Sequence, residues 1–160
     1  MRSLTVAALG VLVLAAPARA QTDAELMAPI KKFVESTNKG DAAGAAATLA
    51  SGADLTIIDE VPPYLWQGPK TLQTWVADLE TDAKKTGTTE PMVALSAPSR
   101  IEKNVDSAYV IIPSVITFKS KGAAMRGAGQ MTFVLRKGSS GWLIHGWTWT
   151  GARPQPASPK

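Results

Sequence analysis

The sequence predicts an α+β domain in which three N-terminal helices cover one face of a strongly curved antiparallel sheet. Three observations predict it. Apolar residues recur at helical spacing through most of the first half of the chain, and the period changes to two from Glu90 onward. Ser120-Lys121-Gly122 and Gly138-Ser139-Ser140-Gly141 read as turns between long β-rich runs. No internal repeat and no domain boundary divides residues 21–151. Helix, helix, strand, helix and then a run of strands is the order expected when helices gather on one face of a sheet.

The first twenty residues read as a leader outside that domain. Arg2 supplies a positive start, Val6 to Ala16 is apolar, and Ala18-Arg19-Ala20 is a small-residue cleavage pattern before Gln21. The apolar run is shorter than a bilayer needs. A secretory signal peptide cleaved after Ala20 is expected, which would place the mature chain in the periplasm or outside the cell. There is no cysteine to acylate, to bridge, or to act as a nucleophile or thiolate ligand, so stability must come from packing. Two of the seventeen Lys and Arg lie in the leader, leaving fifteen against thirteen acids in the mature domain. The basic residues are scattered, so no nucleic-acid partner is expected, and no second apolar run suggests stable membrane insertion.

The elements follow in order. Thr22 and Glu25 fit a capping box, and Leu26, Ile30, Phe33, Val34 and Thr37 form one helical stripe ending at Asn38-Lys39-Gly40. Pro29 requires either a kink or a later start near Met27. Asp41 caps a short alanine-rich helix over 42–50. Asp54 to Asp59 is a short strand, and residues 60–68 are a loop. Pro69 suits the first turn of a third helix whose buried stripe is Leu72, Trp75, Val76 and Leu79. Met92–Ala97 and Arg100–Glu102 read as one strand interrupted at Pro98. Ala108–Lys119, Met125–Lys137 and Trp142–Thr150 are the remaining strands, with Pro113 implying a bulge or an edge. Gly122, Gly127 and Gly129 allow strong bending, and a bent sheet closed by helices forms a cone with room for a ligand. Residues 152–160, with Pro154, Pro156 and Pro159, read as a disordered tail.

Three stretches, taken together, resemble the nuclear transport factor 2-like superfamily, which includes the SnoaL-like cyclases and ketosteroid isomerase. They are Phe33-Val34 with Asn38-Lys39-Gly40-Asp41, then Asp59 to Pro63 with Trp66 and Gly68, and Trp142-Leu143-Ile144 running to Trp149. The resemblance spans roughly residues 23–151. It implies a cone-shaped fold and frequent pairing of subunits through the sheet. It also implies a carboxylate base near Asp59, without any cofactor. It departs at the two groups that would polarise a carbonyl: Phe33 stands where a tyrosine is implied, and the second acid falls near Thr132. Steroid isomerisation is therefore disfavoured.

The candidate site residues are weighed on their own chemistry. A carboxylate at a strand end beside Tyr64 and Trp66 can be pushed towards general-base work by burial, or Asp59 can simply cap the turn before Pro62. His145 is the only histidine, so no histidine cluster for a metal exists. Strict alternation places it on one face with Leu143, Trp147 and Trp149. Tyr64 and Trp66, in a rim loop, suit ligand contact, and so do Trp147 and Trp149. Gln130 and Thr132 share the face opposite Met131, Phe133 and Leu135; in the isomerase-like register they are polar groups inside the cone.

Three functional readings follow. One is an exported domain that binds a small, largely apolar molecule in its cone. The second is a cofactor-independent isomerase, dehydratase or cyclase with Asp59 as base, assisted by His145 or Tyr64. The third is a homodimerisation module with a filled cone, joined through the sheet face that bears the tryptophans.

Overall fold

The computed structural model describes residues 18–51 and 54–157. The leader expected over residues 1–20 lies mostly outside that range; Ala18–Ala20 form the start of the first helix. Three helices, α1 (Ala18–Asn38), α2 (Ala42–Ala46) and α3 (Thr71–Thr86), lie against a curved, open sheet. Its eight described strands are β1 (Thr56–Ile58), β2 (Leu65–Gln67), β3 (Thr88–Leu95), β4 (Arg100–Lys103), β5 (Ser107–Ser120), β6 (Ala123–Gly138), β7 (Gly141–Gly151) and β8 (Gln155–Pro156). The path is β2-β1-β7-β6-β5-β3, with β4 also on β5 and β8 also on β6. The sheet is mixed, because β1 runs parallel to β7 while the other named pairs are antiparallel.

α1 buries Leu26, Met27, Ile30, Phe33 and Val34, the stripe its spacing implies. It runs unbroken through Pro29 and begins before Thr22, so neither the later start near Met27 nor a cap at Thr22 is realised. Thr37 is exposed, and its hydroxyl donates to Phe33 O within the helix. The helix ends in a Schellman motif: Gly40 takes φ 69, Asp41 N donates to Ser36 O, and Gly40 N donates to Thr37 O. Asp41 then caps α2 by accepting from Gly44 N at 2.8 Å. A side chain at Gly44 would displace the Asp41 carboxylate and the Ser36 hydroxyl, and with them the cap of α2.

Asn38 ties this corner to the sheet. Its amide donates to Val93 O and accepts from Val93 N, both at 2.9 Å, as a neighbouring strand would. α2 is shorter than expected because residues 48–50 leave it to pair with β7. Ile144 N donates to Thr48 O, and Ala50 N donates to Ile144 O.

Pro113 lies in β5, at the seam where β3 ends and β4 begins. Its carbonyl accepts from Ser96 N, so its donorless nitrogen turns to the same side, where the two strands leave a gap. The C-terminal segment differs from the expected disorder: β8 pairs with Met125 and Arg126, and Ala157 N donates to Ala124 O. β6 is long enough to extend past β7 and leave that edge open, which is where β8 adds.

The sheet has an inner face towards the helices and an outer face away from them. Ile57, Val110, Ile112, Met131, Phe133, Leu135, Ile144 and Trp147 point inward and are buried with the α1 stripe and Trp75 of α3. Cross-strand pairs such as Phe133↔Trp147 and Val110↔Phe133 put these residues side by side.

Candidate functional site in the cone

The inner face converges on three aromatic rings. Trp147 of β7 meets Phe33 of α1 with centroids 5.7 Å apart, and Trp75 of α3 edge-on at 5.2 Å and 83°. Such edge-to-face contact is a favoured arrangement of aromatic quadrupoles. Asp59 follows β1 one alternation beyond inward-facing Ile57. Its Oδ2 accepts from Trp75 Nε1 at 3.0 Å, and its Oδ1 accepts from Glu60 N at 2.8 Å. Asp59 therefore does more than cap its own turn: a core indole holds its carboxylate on the helix side. Burial raises its carboxyl above the ordinary range, and the two hydrogen bonds oppose that rise. Partial burial, and then the Asp59 charge, also raises the neighbouring Glu60.

Trp149 lies two residues beyond Trp147 on the same face and is only half-buried. Its ring approaches the backbone of Gly129 so closely that a Cβ there would lie 2.8 Å from Trp149 Cζ2. Val61, Leu79, Val93 and Leu95 are likewise packed against the core yet incompletely covered. Like Trp149, they form the partly covered margin of the core.

Three of the expected site residues thus share the inner side of the sheet, Asp59, Trp147 and Trp149, and Trp75, expected only in core or dimer packing, bonds the first and packs on the second. The others go elsewhere. Trp66 is buried in the core rather than lining a rim. It sits in β2, a strand the sequence reading missed, and its Nε1 donates to Asp78 Oδ2 of α3 at 2.8 Å. Tyr64 is exposed at the loop tip with φ 73, turned away from the core. Gln130 and Thr132 alternate with inward Met131 and Phe133, so they lie on the outer face, not inside the cone.

His145 is also on the outer face. Val134 pairs with Gly146 but Leu135 pairs with Ile144, so His145 is an extra residue in β7. That bulge turns Ile144 inward beside Leu135 and separates His145 from the face of Trp147 and Trp149. Asp59 and His145 are therefore on opposite sides of the sheet. The face bearing Trp147 and Trp149 is the core side and is not available for subunit pairing.

Two cavities stand out among the described residues, and Asp59 lines neither. One, of about 460 Å³, is a groove on the outer face lined by Thr56, Ile58, Thr132, Val134, His145 and Thr148, among others. The other, of about 210 Å³, lies between α2 and the start of α3. Among the described residues, no group of three or more acidic or histidine side chains could hold a metal ion, and no helix is long and apolar enough to cross a membrane.

The chain has the nuclear transport factor 2-like fold. It is similar to a nuclear transport factor 2-like superfamily protein from Salmonella enterica serovar Typhimurium, at 17% identity and TM-score 0.68, covering 89% of this chain and 96% of that one. It is also similar to a ketosteroid isomerase-like protein from Erwinia carotovora, at 20% identity and TM-score 0.62, covering 82% and 96%. A hexachlorocyclohexane dehydrochlorinase from Novosphingobium barchaimii matches with TM-score 0.72 at 12% identity, covering 89% and 94%. No family model matches the sequence, and no curated protein matches it. At these identities the likeness defines the fold, and function has to be reasoned from the site.

The raised Asp59 carboxyl makes stability depend on pH. The folded state keeps this proton to higher pH than the unfolded chain, so its contribution is full below the unfolded value of about 3.9 and is lost as pH rises through the folded value. Asp59→Asn keeps an acceptor for Trp75 and removes the titration. Urea midpoints measured from about pH 4 to about pH 8 should fall with pH more steeply in the wild type than in Asp59→Asn. Parallel curves would contradict a raised Asp59.

Proposed function

We propose that this protein binds a small, largely apolar molecule at the inner face of its cone, against Trp75, Trp147 and Trp149, with Asp59 orienting it. The observation that carries the reading is a carboxylate held by a core indole, on a core whose apolar margin is only partly covered. An apolar ligand there would remove that surface from water, at about 25 cal/mol per Å². In keeping with the leader pattern of residues 1–20, the mature chain works after export.

A second reading, an enzyme using Asp59 as general base without a cofactor, is favoured by the burial that raises its carboxyl. Isomerase, dehydratase or cyclase chemistry all begin with such a proton abstraction. His145 has no part in it, because it lies across the sheet. Among solved structures with this fold are a protein described as ketosteroid isomerase-like and a dehydrochlorinase, which supports testing for turnover. The experiment is a screen of small apolar metabolites by tryptophan fluorescence and native mass spectrometry, on wild type and Asp59→Asn. A ligand bound by both and changed by neither supports binding alone. One that the wild type converts and Asp59→Asn only binds makes the protein an enzyme. No ligand for either form would sink both readings.

The outer face is the surface proposed for pairing with a second copy. Leu65 pairs with Ile58, and Val134 with Tyr109, leaving four large apolar side chains exposed on it. Arg136 and Asp54 line the same groove, and among the described residues neither has an ion-pair partner. Cation and anion on one self-complementary patch suit a two-fold axis. Val134→Glu should shift sedimentation equilibrium from dimer towards monomer. A wild-type protein that is monomeric at micromolar concentration would overturn the pairing.

A further inference from the structure

The β5–β6 hairpin outreaches its neighbour. β6 pairs with β5 from Ala123 to Arg136, but β7 reaches along β6 only as far as Gly129, so residues 123–128 are left with one edge that β7 does not cover. Unpaired backbone on such an edge is a template for another strand. The side chains there offer little obstruction, because Ala123, Ala124, Gly127 and Ala128 are all small. The chain covers this edge with its own C-terminal segment. Gln155 pairs with Arg126, Pro156 pairs with Met125, and Ala157 N donates to Ala124 O at 2.9 Å. Backbone groups alternate sides along a strand, so those of 155 and 157 face β6 while the nitrogen of Pro156 faces away. Pro156 has no N–H, and the outer edge of β8 therefore lacks a donor where a further strand would need one. Pro154 secures the approach to β8. Gly127 is buried, and a Cβ there would lie 3.1 Å from both Pro154 Cγ and Ile116 Cγ2. The proline ring takes the space that a side chain on β6 would fill.

We infer that residues 123–128 of β6 are a strand-pairing surface for a second copy of this chain, and that residues 154–157 hold that surface closed. Once vacated, the edge pairs antiparallel with the same edge of another copy about a two-fold axis, so that each supplies the strand the other has lost. Backbone groups make this contact, and small side chains let the two strands approach. It is separate from the pairing proposed on the outer face, which relies on apolar side chains of β1, β2, β5 and β6.

The test compares mature chains ending at Lys160 and at Arg153 by sedimentation velocity over a range of concentrations. The shorter chain should gain a species of about twice the full chain's mass, with a share that rises with concentration. A synthetic peptide of residues 152–157, added in excess, should refill the edge and remove that species. The same peptide carrying Ala157→Pro lacks the N–H for Ala124 O and should not. Val134→Glu, which disrupts the outer-face pairing, should leave the added species in place. Ala157→Pro in the full-length mature chain removes one backbone donor without shortening the protein. It should give the same species, and it keeps the test open if truncation disturbs the fold. Sedimentation of both altered chains identical to that of the full chain overturns the inference. A larger species that the peptide leaves unchanged also overturns it, because it then arises from misfolded chain and not from the vacated edge.

Discussion

One extra residue in β7 decides which side chains this protein places inside its cone. With a regular strand, the residues alternating with Trp147 would have put His145 inward and Ile144 outward. The bulge at His145 restores Ile144 to the core beside Leu135 while Trp147 stays opposite Phe133. On its other edge the same strand receives residues 48–50 and β1. Strand register, helix docking and the identity of the inner face all depend on that bulge. It also separates the imidazole from the carboxylate, so acid–base chemistry shared by the two is excluded by geometry.

The inner face is built by indoles acting as both surface and donor. Trp66 and Trp75 each spend their N–H on an acid, Asp78 and Asp59 respectively, and in doing so lock α3 to β2 and to the end of β1. A desolvated carboxylate without such donors would be far costlier. Trp147 breaks the pattern, with the same burial and no acid.

Much of the architecture was legible in the sequence because periodicity reports it directly. The α1 stripe, the Gly40 stop, the Asp41 cap, the α3 stripe and the long hairpin strands all follow from spacing and turn residues, and so does the shared face of Trp147 and Trp149. The bulge was not legible, since it shifts the alternation between Ile144 and Trp147 and is defined only by the pairing with the partner strand. That hid the outward turn of His145. β2 was hidden because three residues between a double proline and Gly68 carry no period, so Trp66 read as a rim residue rather than a core one. Gln130 and Thr132 were misplaced for a different reason. Their face was known relative to Met131 and Phe133, but which face the helices cover is settled by burial, and the apolar residues took it. The role of Trp75 needed the Asp59 distance, which no spacing supplies.

The central claim is that the inner face at Asp59, Trp75, Trp147 and Trp149 is the place where this protein meets its ligand. The most direct measurement is a crystal structure of the mature protein soaked with the small apolar compound that the fluorescence screen identifies. The account predicts density for the ligand on the inner face, beside Asp59 and the half-buried Trp149. Density confined to the outer groove beside Thr132 and His145, with the cone unchanged, would contradict it.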